Sequence, residues 1–496
     1  RVSIDEPYTL YRPGQRLELQ GWMGRFARPA NPGQYDTAAV ARCSGTWVWF
    51  RVPTERCVHV LAQSANEECE PSGIWRFRAL FRQHLIETGD LQNGQLLSAL
   101  ILGERNSALE KLNHTMQRAG IAHFLSISGL HLGVFLGFVY FLCRAAFLSP
   151  RRSAVVVLIV LGAYLLLAVP RPPLLRSAIM AACLLVGIIV HRRGSTLNAF
   201  GLAVLVLLLL DPRQLFQPGF QLSFVIVAGL LLLYKPVRSF LFGRWLWRRG
   251  LMVFRDDQRL RRWWYYSFSE WAINGVSVAV TCYLLSAPLV AMRFGFFSPW
   301  AIVLNLLLFP LVVTVLIPGY VSLSLAWLAP NLAAAVGTLA GGAANLLTRV
   351  VDALSALPGL SLTLRPVGLG WVLLCYTTFI TVLFSRGRRW RMVLAGVFVT
   401  ALVSVTVWSQ MSAKPNEAQL DLLAVGAGQC AVLQTPGGKT YLLDAGTRSG
   451  FDVYHRILAP FLREMRLPDS HVAFVSHANT DQIGRASCRE RVCHRV

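Results

Sequence analysis

Three short polar stretches stand inside a long apolar region of this sequence, and each carries side chains able to hold water, a proton or an anion. The first, Ala122-His-Phe-Leu-Ser-Ile-Ser-Gly-Leu-His131, gathers His123, Ser126, Ser128 and His131. The second runs from Arg171 to Arg176, and the third, Gly219-Phe-Gln-Leu-Ser-Phe224, supplies Gln221 and Ser223. Ionisable and amide groups at membrane depth face a bundle interior or a water-filled path. Ordinary hydrogen bonding between helices by Ser and His is the plainer alternative for any one of them. Near the end of the chain, Ser476-His-Ala-Asn-Thr-Asp-Gln-Ile-Gly484 offers the imidazole of His477 and the carboxylate of Asp481. Such a pair at a strand end can contribute to a divalent-metal site that activates water.

The elements that must position the three inner stretches are apolar helices. The chain has 496 residues, of which 54% are hydrophobic and only 15% charged, a mixture that excludes a soluble globule of this length. Ten apolar segments are expected to cross a bilayer, at approximately 121–147, 153–169, 174–190, 196–210, 220–234, 270–292, 299–328, 332–356, 368–385 and 391–408. The weakest is Leu332–Leu357, rich in Gly and Ala. Were it interfacial, the stretch around Pro310 and Pro318 would have to cross twice.

The formal net charge of +23 is mostly arginine and is unevenly spread. Clusters at Arg144, Arg151 and Arg152, at Arg192 and Arg193, across Arg238–Arg262 and across Arg386–Arg391 fall on one side of the expected spans. The positive-inside rule makes that side cytoplasmic and puts residues before Ile121 and after Trp408 on the other. Topogenic charge and anionic-lipid contact account for most of this arginine, leaving a share for nucleic-acid phosphate.

Residues 1–75 alternate in short runs, clearest at Leu17–Trp22 and Thr46–Val52, and read as a small all-β unit. A five-stranded oligonucleotide-binding (OB) barrel fits the size. Trp22, Trp47, Trp49 and Phe50 are candidates either to stack on bases or to fill the core of such a barrel. Cys43, Cys57 and Cys69 allow one disulfide and one leftover thiol, with the pairing open. Residues 76–120 turn helical, with Leu96, Leu97, Leu100 and Ile101 on one face, and are expected to lie along the membrane surface. Beyond Trp408 a strand–strand–strand–helix–strand order appears at Gln419–Val425, Cys430–Gln434, Thr440–Asp444, Phe451–Glu464 and Val472–Ser476, the opening of an α/β domain spanning 417–482.

Leu100-Ile-Leu-Gly-Glu104, His123-Phe-Leu-Ser-Ile-Ser-Gly-Leu-His-Leu-Gly133, Arg176-Ser-Ala-Ile-Met180, Asp211-Pro212, Gly219–Phe224, and Asn305 with Pro310 together resemble the ComEC competence family, in that family's order. Arg28-Pro-Ala-Asn-Pro-Gly-Gln-Tyr-Asp36 is similar to the loop of its OB domain. The resemblance implies a bacterial inner-membrane channel that conducts single-stranded DNA into the cytoplasm during natural transformation, flanked by two extracytoplasmic domains. His123, Ser126, Ser128, His131, Arg176, Gln221 and Ser223 are then candidates for the DNA path, and Trp22, Trp47 and Trp49 for DNA binding outside. No GxxxxGK[ST] phosphate loop occurs, so energy is expected from a cytoplasmic motor ATPase, with a DNA receptor on the outer face as a second partner. The channel itself calls for no cofactor.

The C-terminal piece resembles the start of the metallo-β-lactamase-like domain that many members carry, with Thr435–Gly446 as its glycine-turned hairpin. His477 and Asp481 match its metal-binding loop. Asn479 and Gln482 replace histidines of the fullest version, and Ala424 replaces an acidic residue of the first strand, so a metal is expected only in a longer form of the domain. Residues 483–496 resemble a translated sequencing adapter, and the expectation is a native histidine at 482, a chain that continues beyond it, and an N-terminus upstream of Arg1. A membrane-anchored metal-dependent nuclease and a small-solute transporter are the rival readings.

Overall fold

The computed structural model describes residues 2–4, 17–43, 45–54, 57–61, 73–87, 91–103, 109–125, 127–168, 172–191, 195–253, 263–326, 328–355, 357, 359–364, 367–385, 388–410, 417–447, 453–465, 467 and 472–474. Ser126, Arg192, Arg193, Cys69, His477, Asp481 and the stretch 483–496 lie outside the described residues.

The N-terminal region contains β1 (Val2–Ile4), β2 (Leu17–Leu19), β3 (Trp22–Arg25), helix α1 (Thr37–Cys43), β4 (Val48–Val52) and β5 (Val58–Val60). Its five strands form a three-stranded sheet ordered β1-β4-β3 and a separate β2-β5 pair. Closure into one barrel is not seen among the described residues. Cys57 carries a free thiol.

Helices α2 (Gly73–Glu87), α3 (Leu91–Ile101) and α4 (Glu110–Arg118) follow. The apolar face of α3 is not turned to a membrane surface. Leu96, Leu97, Leu100 and Ile101 are all buried in one core with residues of the later helices, among them Leu132, Leu161, Leu308 and Leu347.

The rest of the bundle is α5 (Gly129–Ala145), α6 (Pro150–Leu167), α7 (Pro172–Ile189), α8 (Thr196–Leu210), α9 (Pro218–Val253), α10 (Trp263–Phe294), the two-residue strand β6 (Phe296–Phe297), α11 (Ala301–Leu325), α12 (Pro330–Ser355), strand β7 (Leu362–Thr363), α13 (Leu369–Phe384) and α14 (Arg388–Gln410). Local signals set several boundaries. Ser149 caps α6, its Oγ accepting from the Arg152 N–H at 3.4 Å, with Pro150 in the first turn where its missing donor costs nothing. Pro310 and Pro318 lie inside one continuous α11, so that stretch does not break into two crossings.

Among the described residues, five helices are long and apolar enough to cross a membrane: Pro150–Leu167, Pro218–Leu246, Ser267–Phe294, Ala301–Leu325 and Pro330–Leu354. The Gly- and Ala-rich segment is thus among the long ones. Five shorter apolar helices, Gly129–Ala145, Pro173–Ile189, Thr196–Leu210, Leu369–Phe384 and Met392–Ala401, occupy the remaining expected spans.

The bundle has two chemically different ends. At one, Arg151 Nε donates to His191 Nδ1 at 3.2 Å, joining the start of α6 to the end of α7 beside the arginine clusters. At the other, β6 pairs antiparallel with β7, and the Ser298 hydroxyl donates to the Ala119 carbonyl at 3.0 Å.

The C-terminal region comprises β8 (Gln419–Leu422), β9 (Gly428–Gln434), β10 (Thr440–Thr447), a π-helical turn Tyr454–Leu458 running into α15 (Ala459–Glu464), and β11 (Val472–Phe474). The sheet order is β11-β10-β9-β8, with β10 and β11 parallel and β8 at an edge. The expected element order is present. The β9–β10 hairpin turns at Thr435–Gly438, where the Gly438 N–H donates to the Thr435 carbonyl at 2.8 Å and Gly438 takes a φ of 76°, a conformation glycine adopts without strain. The helix covers the sheet: Leu442 is buried with Val432, Ile457, Leu458 and Phe461.

Candidate functional site

The polar stretches are positioned by the first turns of three helices. Ser128 precedes α5, and its backbone N–H donates to Nδ1 of His131 at 3.3 Å, while its Oγ lies 3.0 Å from the same nitrogen. The histidine thereby supplies an acceptor that a helix N-terminus lacks. An Nδ1 that accepts leaves the proton on Nε2, and this buried Nε2 has no partner among the described residues. His131 therefore has a structural task at Nδ1, and its ring also lies against the backbone of Phe124.

Helix α7 joins the second stretch to the first. A methyl group on Gly129 would stand 2.7 Å from Ser177 Oγ, so glycine permits α5 to approach α7 at that level. The preceding residue on α7, Arg176, is 4% exposed. Its guanidinium carbon lies 6.0 Å from the ring centre of Phe220 and 5.8 Å from that of Phe224, both in the opening turns of α9. Its Nε has no hydrogen-bond partner among the described residues. Aromatic faces attract a cation but do not neutralise it, so a buried positive charge remains there with no carboxylate partner among the described residues.

Gln221 follows Phe220 and is tied at both ends of its amide. Nε2 donates to the Leu215 carbonyl at 3.0 Å, and Oε1 accepts from Nη2 of Arg293, at the end of α10, at 2.8 Å. Ser223 is half-buried on the same turn. The structure thus sets Arg176 against Phe220 and Phe224 of α9, the helix whose first turns also carry Gln221 and Ser223, and packs the start of α5, which carries Ser128 and His131, on α7 through the Gly129–Ser177 contact. His123 lies in the turn Ala122–Phe124, its ring centre 4.4 Å from that of Phe124 and close enough to His131 for the two to interact electrostatically.

On the N-terminal sheet, Trp22 and Trp47 are 64% and 66% exposed, so neither fills a core. Trp49 is half-buried across Gly24 and donates Nε1–H to the Arg25 carbonyl at 3.0 Å. His477 and Asp481 fall outside the described residues, and among those described no three His, Cys, Asp or Glu side chains gather as a metal site.

Several contacts escaped sequence reasoning. Arg293 and Arg463 were not singled out, although Arg463 donates Nη1–H to the Phe294 carbonyl at 3.3 Å. Nor was Asn31, whose Nδ2 donates to the Ala424 carbonyl at 3.0 Å and whose Oδ1 accepts from the Ala424 N–H at 2.8 Å. The turn sequence Asn31-Pro-Gly was the available signal. Gly33, with φ 71°, lies so close to the Pro460 carbonyl that a methyl group there would stand 2.5 Å from the oxygen.

The Competence protein family profile matches residues 100–389, which include the whole cluster around Arg176. The chain belongs to this family. Over 510 aligned positions it is 23% identical to ComE operon protein 3 of Bacillus subtilis, covering 97% of this chain and 59% of that protein. Over 227 positions it is 30% identical to Recombination protein 2 of Haemophilus influenzae, covering 41% of this chain and 29% of that protein. The chain therefore spans six-tenths or less of the length of these competence and recombination relatives. No solved structure matches it.

Proposed function

We propose that this chain takes part in competence DNA uptake as an inner-membrane conduit for one DNA strand. The observation that carries the reading is Arg176: a buried guanidinium, in a helix start of the family-matched region, without a carboxylate and backed by two aromatic rings. A strand crossing a membrane needs cationic contacts for phosphate and flat surfaces that accept any base. Arg176 with Phe220 and Phe224 offers both. His131, Ser128, Gln221 and Ser223 extend the polar lining, and His123 and Ser126 belong to the same proposed path.

Within this reading the ten apolar helices all cross, and the N- and C-terminal regions face outward. The N-terminal strands serve as an OB-like unit whose exposed Trp22 and Trp47 meet bases, with Trp49 bracing the sheet. The C-terminal sheet opens a metallo-β-lactamase-like domain. A DNA receptor outside and a motor ATPase inside complete the pathway. The test is uptake of labelled DNA into the cytoplasm by cells carrying Arg176→Gln, with protein level and membrane insertion measured in parallel. Uptake should fall about tenfold or more, the effect of losing one charge-assisted contact, and Arg176→Lys should restore part of it. Wild-type uptake by well-inserted Arg176→Gln would sink the reading.

A further inference from the structure

Three parts of the chain meet at one end of the bundle, and the meeting place holds two guanidinium groups with neutral partners. Arg293, exposed at the end of α10, donates to the Gln221 amide oxygen at 2.8 Å. Arg463, half-buried on α15, reaches across from the C-terminal sheet to the carbonyl of Phe294, the residue after Arg293. Arg213 completes the seam on the N-terminal side, its Nη1 donating to the Arg42 carbonyl at 3.4 Å. That third arginine is already neutralised, since its Nε lies 2.8 Å from Asp211 Oδ1.

Among the described residues no carboxylate pairs with Arg293 or Arg463. Asp211 is held by Arg213, and exposed Glu464 lies against Gly33 rather than in the seam. A guanidinium held by carbonyl and amide oxygens keeps its whole charge available for an arriving anion. Burial pulls the Arg463 pKa below its ordinary value, so an anion there would relieve a desolvation cost already present. Inward of the pair the chemistry continues without a gap in sequence: Gln221 adjoins Phe220, and Phe220 lies under Arg176.

We infer that Arg463 and Arg293 form the entry step of a phosphodiester path, at the seam between the C-terminal sheet and the helix bundle, which leads phosphates toward Arg176. This rests on the conduit reading and adds the place where the strand enters. Phosphate on a lipid headgroup shares the chemistry. The nucleic acid is favoured because one of the two guanidiniums belongs to the sheet domain and because the path runs on to aromatic faces suited to bases.

The experiment measures binding of a short labelled oligothymidylate to the full chain in discs of neutral lipid over a range of salt. In Arg293→Gln/Arg463→Gln, affinity should fall at least tenfold, and the log–log salt slope should shrink by about 1.4, since about 0.7 counterions are released per phosphate contact on a single strand. Arg293→Lys/Arg463→Lys should keep the slope. Arg293→Gln alone, at an exposed position, should lose about half the slope change and guards against misfolding. A wild-type slope in the folded glutamine variants overturns the inference. Loss of the difference between wild type and variant when anionic lipid replaces neutral lipid also overturns it, by showing that headgroups occupy the pair. Pair-dependent binding without any uptake would leave the seam standing and remove the conduit. Unchanged slope together with Arg176-dependent uptake would do the reverse.

Discussion

Asn31 and Ala424, 393 residues apart, exchange two hydrogen bonds: the side-chain amide donates to the Ala424 carbonyl at 3.0 Å and accepts from its N–H at 2.8 Å. Ala424 follows β8, the edge strand of the C-terminal sheet, where backbone groups have no further strand to pair with. An asparagine side chain presents the same donor–acceptor pair as a peptide group, so Asn31 stands in for one residue of a missing neighbour strand. Asn31 is 6% exposed, so water does not replace it readily.

Asn31→Ala should therefore loosen the contact by about 1–3 kcal/mol, the cost of leaving such groups unpaired. Amide exchange at 423–425 should quicken while the β9–β10 hairpin stays protected. Asn31→Asp keeps the acceptor alone and should fall between. Identical exchange in all three proteins would show that the pair carries no stability.

The packing of α3 into the bundle predicts a graded response at Gly319 on α11. A methyl group there would stand 2.6 Å from Cδ1 of Ile101, the end of a flexible side chain. Gly319→Ala should be accommodated by rotation of that side chain, at less than about 1 kcal/mol, whereas Gly319→Leu should cost about 1–3 kcal/mol through overpacking. Thermal unfolding in detergent reads the difference. Equal midpoints for both variants would mean that α3 does not pack there.

Cys430 makes a pH prediction for the C-terminal sheet. Burial, and then the nearby Asp444 carboxylate, push its thiol up to about 12. The unfolded chain loses this proton near pH ~8.5, so from there up to about 12 the folded form binds more protons and stability falls as pH rises. Below that window the thiol contributes its full share. Maleimide should leave Cys430 unmodified at neutral pH and label it when urea opens the sheet. Prompt labelling of the native protein would contradict the burial.

How much of this was legible follows the range of the interactions. Apolar period and length mark α5 to α14, and Thr435-Pro-Gly-Gly marks the hairpin, because helices and tight turns are set by neighbours in sequence. Arg176 and Gln221 were legible as polar residues in apolar surroundings. The arginines at that end of the bundle were not: Arg293, which holds Gln221, reads as an ordinary charge at a helix end, and Arg463, which holds the Phe294 carbonyl, as one more surface arginine. The burial of Leu442 by the helix ending at Glu464 depends on long-range packing and is not set by its neighbours in sequence. The surface role expected for 76–120 missed that α3 is apolar enough to join the core with Leu308 and Leu347.

The Asn31–Ala424 contact also constrains how often the chain crosses the membrane. Two residues in contact lie on the same face of a bilayer, so the chain between them crosses an even number of times. The five long apolar helices alone would give an odd number and separate the pair. Adding the five shorter apolar helices gives ten, and the pair reunites. A short apolar helix can span where flanking side chains snorkel or the bilayer thins. In the proposed ten-crossing arrangement the arginines at the start of α6, Arg151 and Arg152, are expected on the face opposite to Asn31, the one the positive-inside rule predicts to be cytoplasmic. Single cysteines placed at Gly437, in the hairpin turn, and at Arg151 should settle this in intact cells after the native thiols are replaced. An impermeant maleimide should label the cysteine at 437 from outside and reach the one at 151 only after lysis. Labelling of 151 from outside, or protection of 437, would overturn this ten-crossing arrangement with both terminal regions outward.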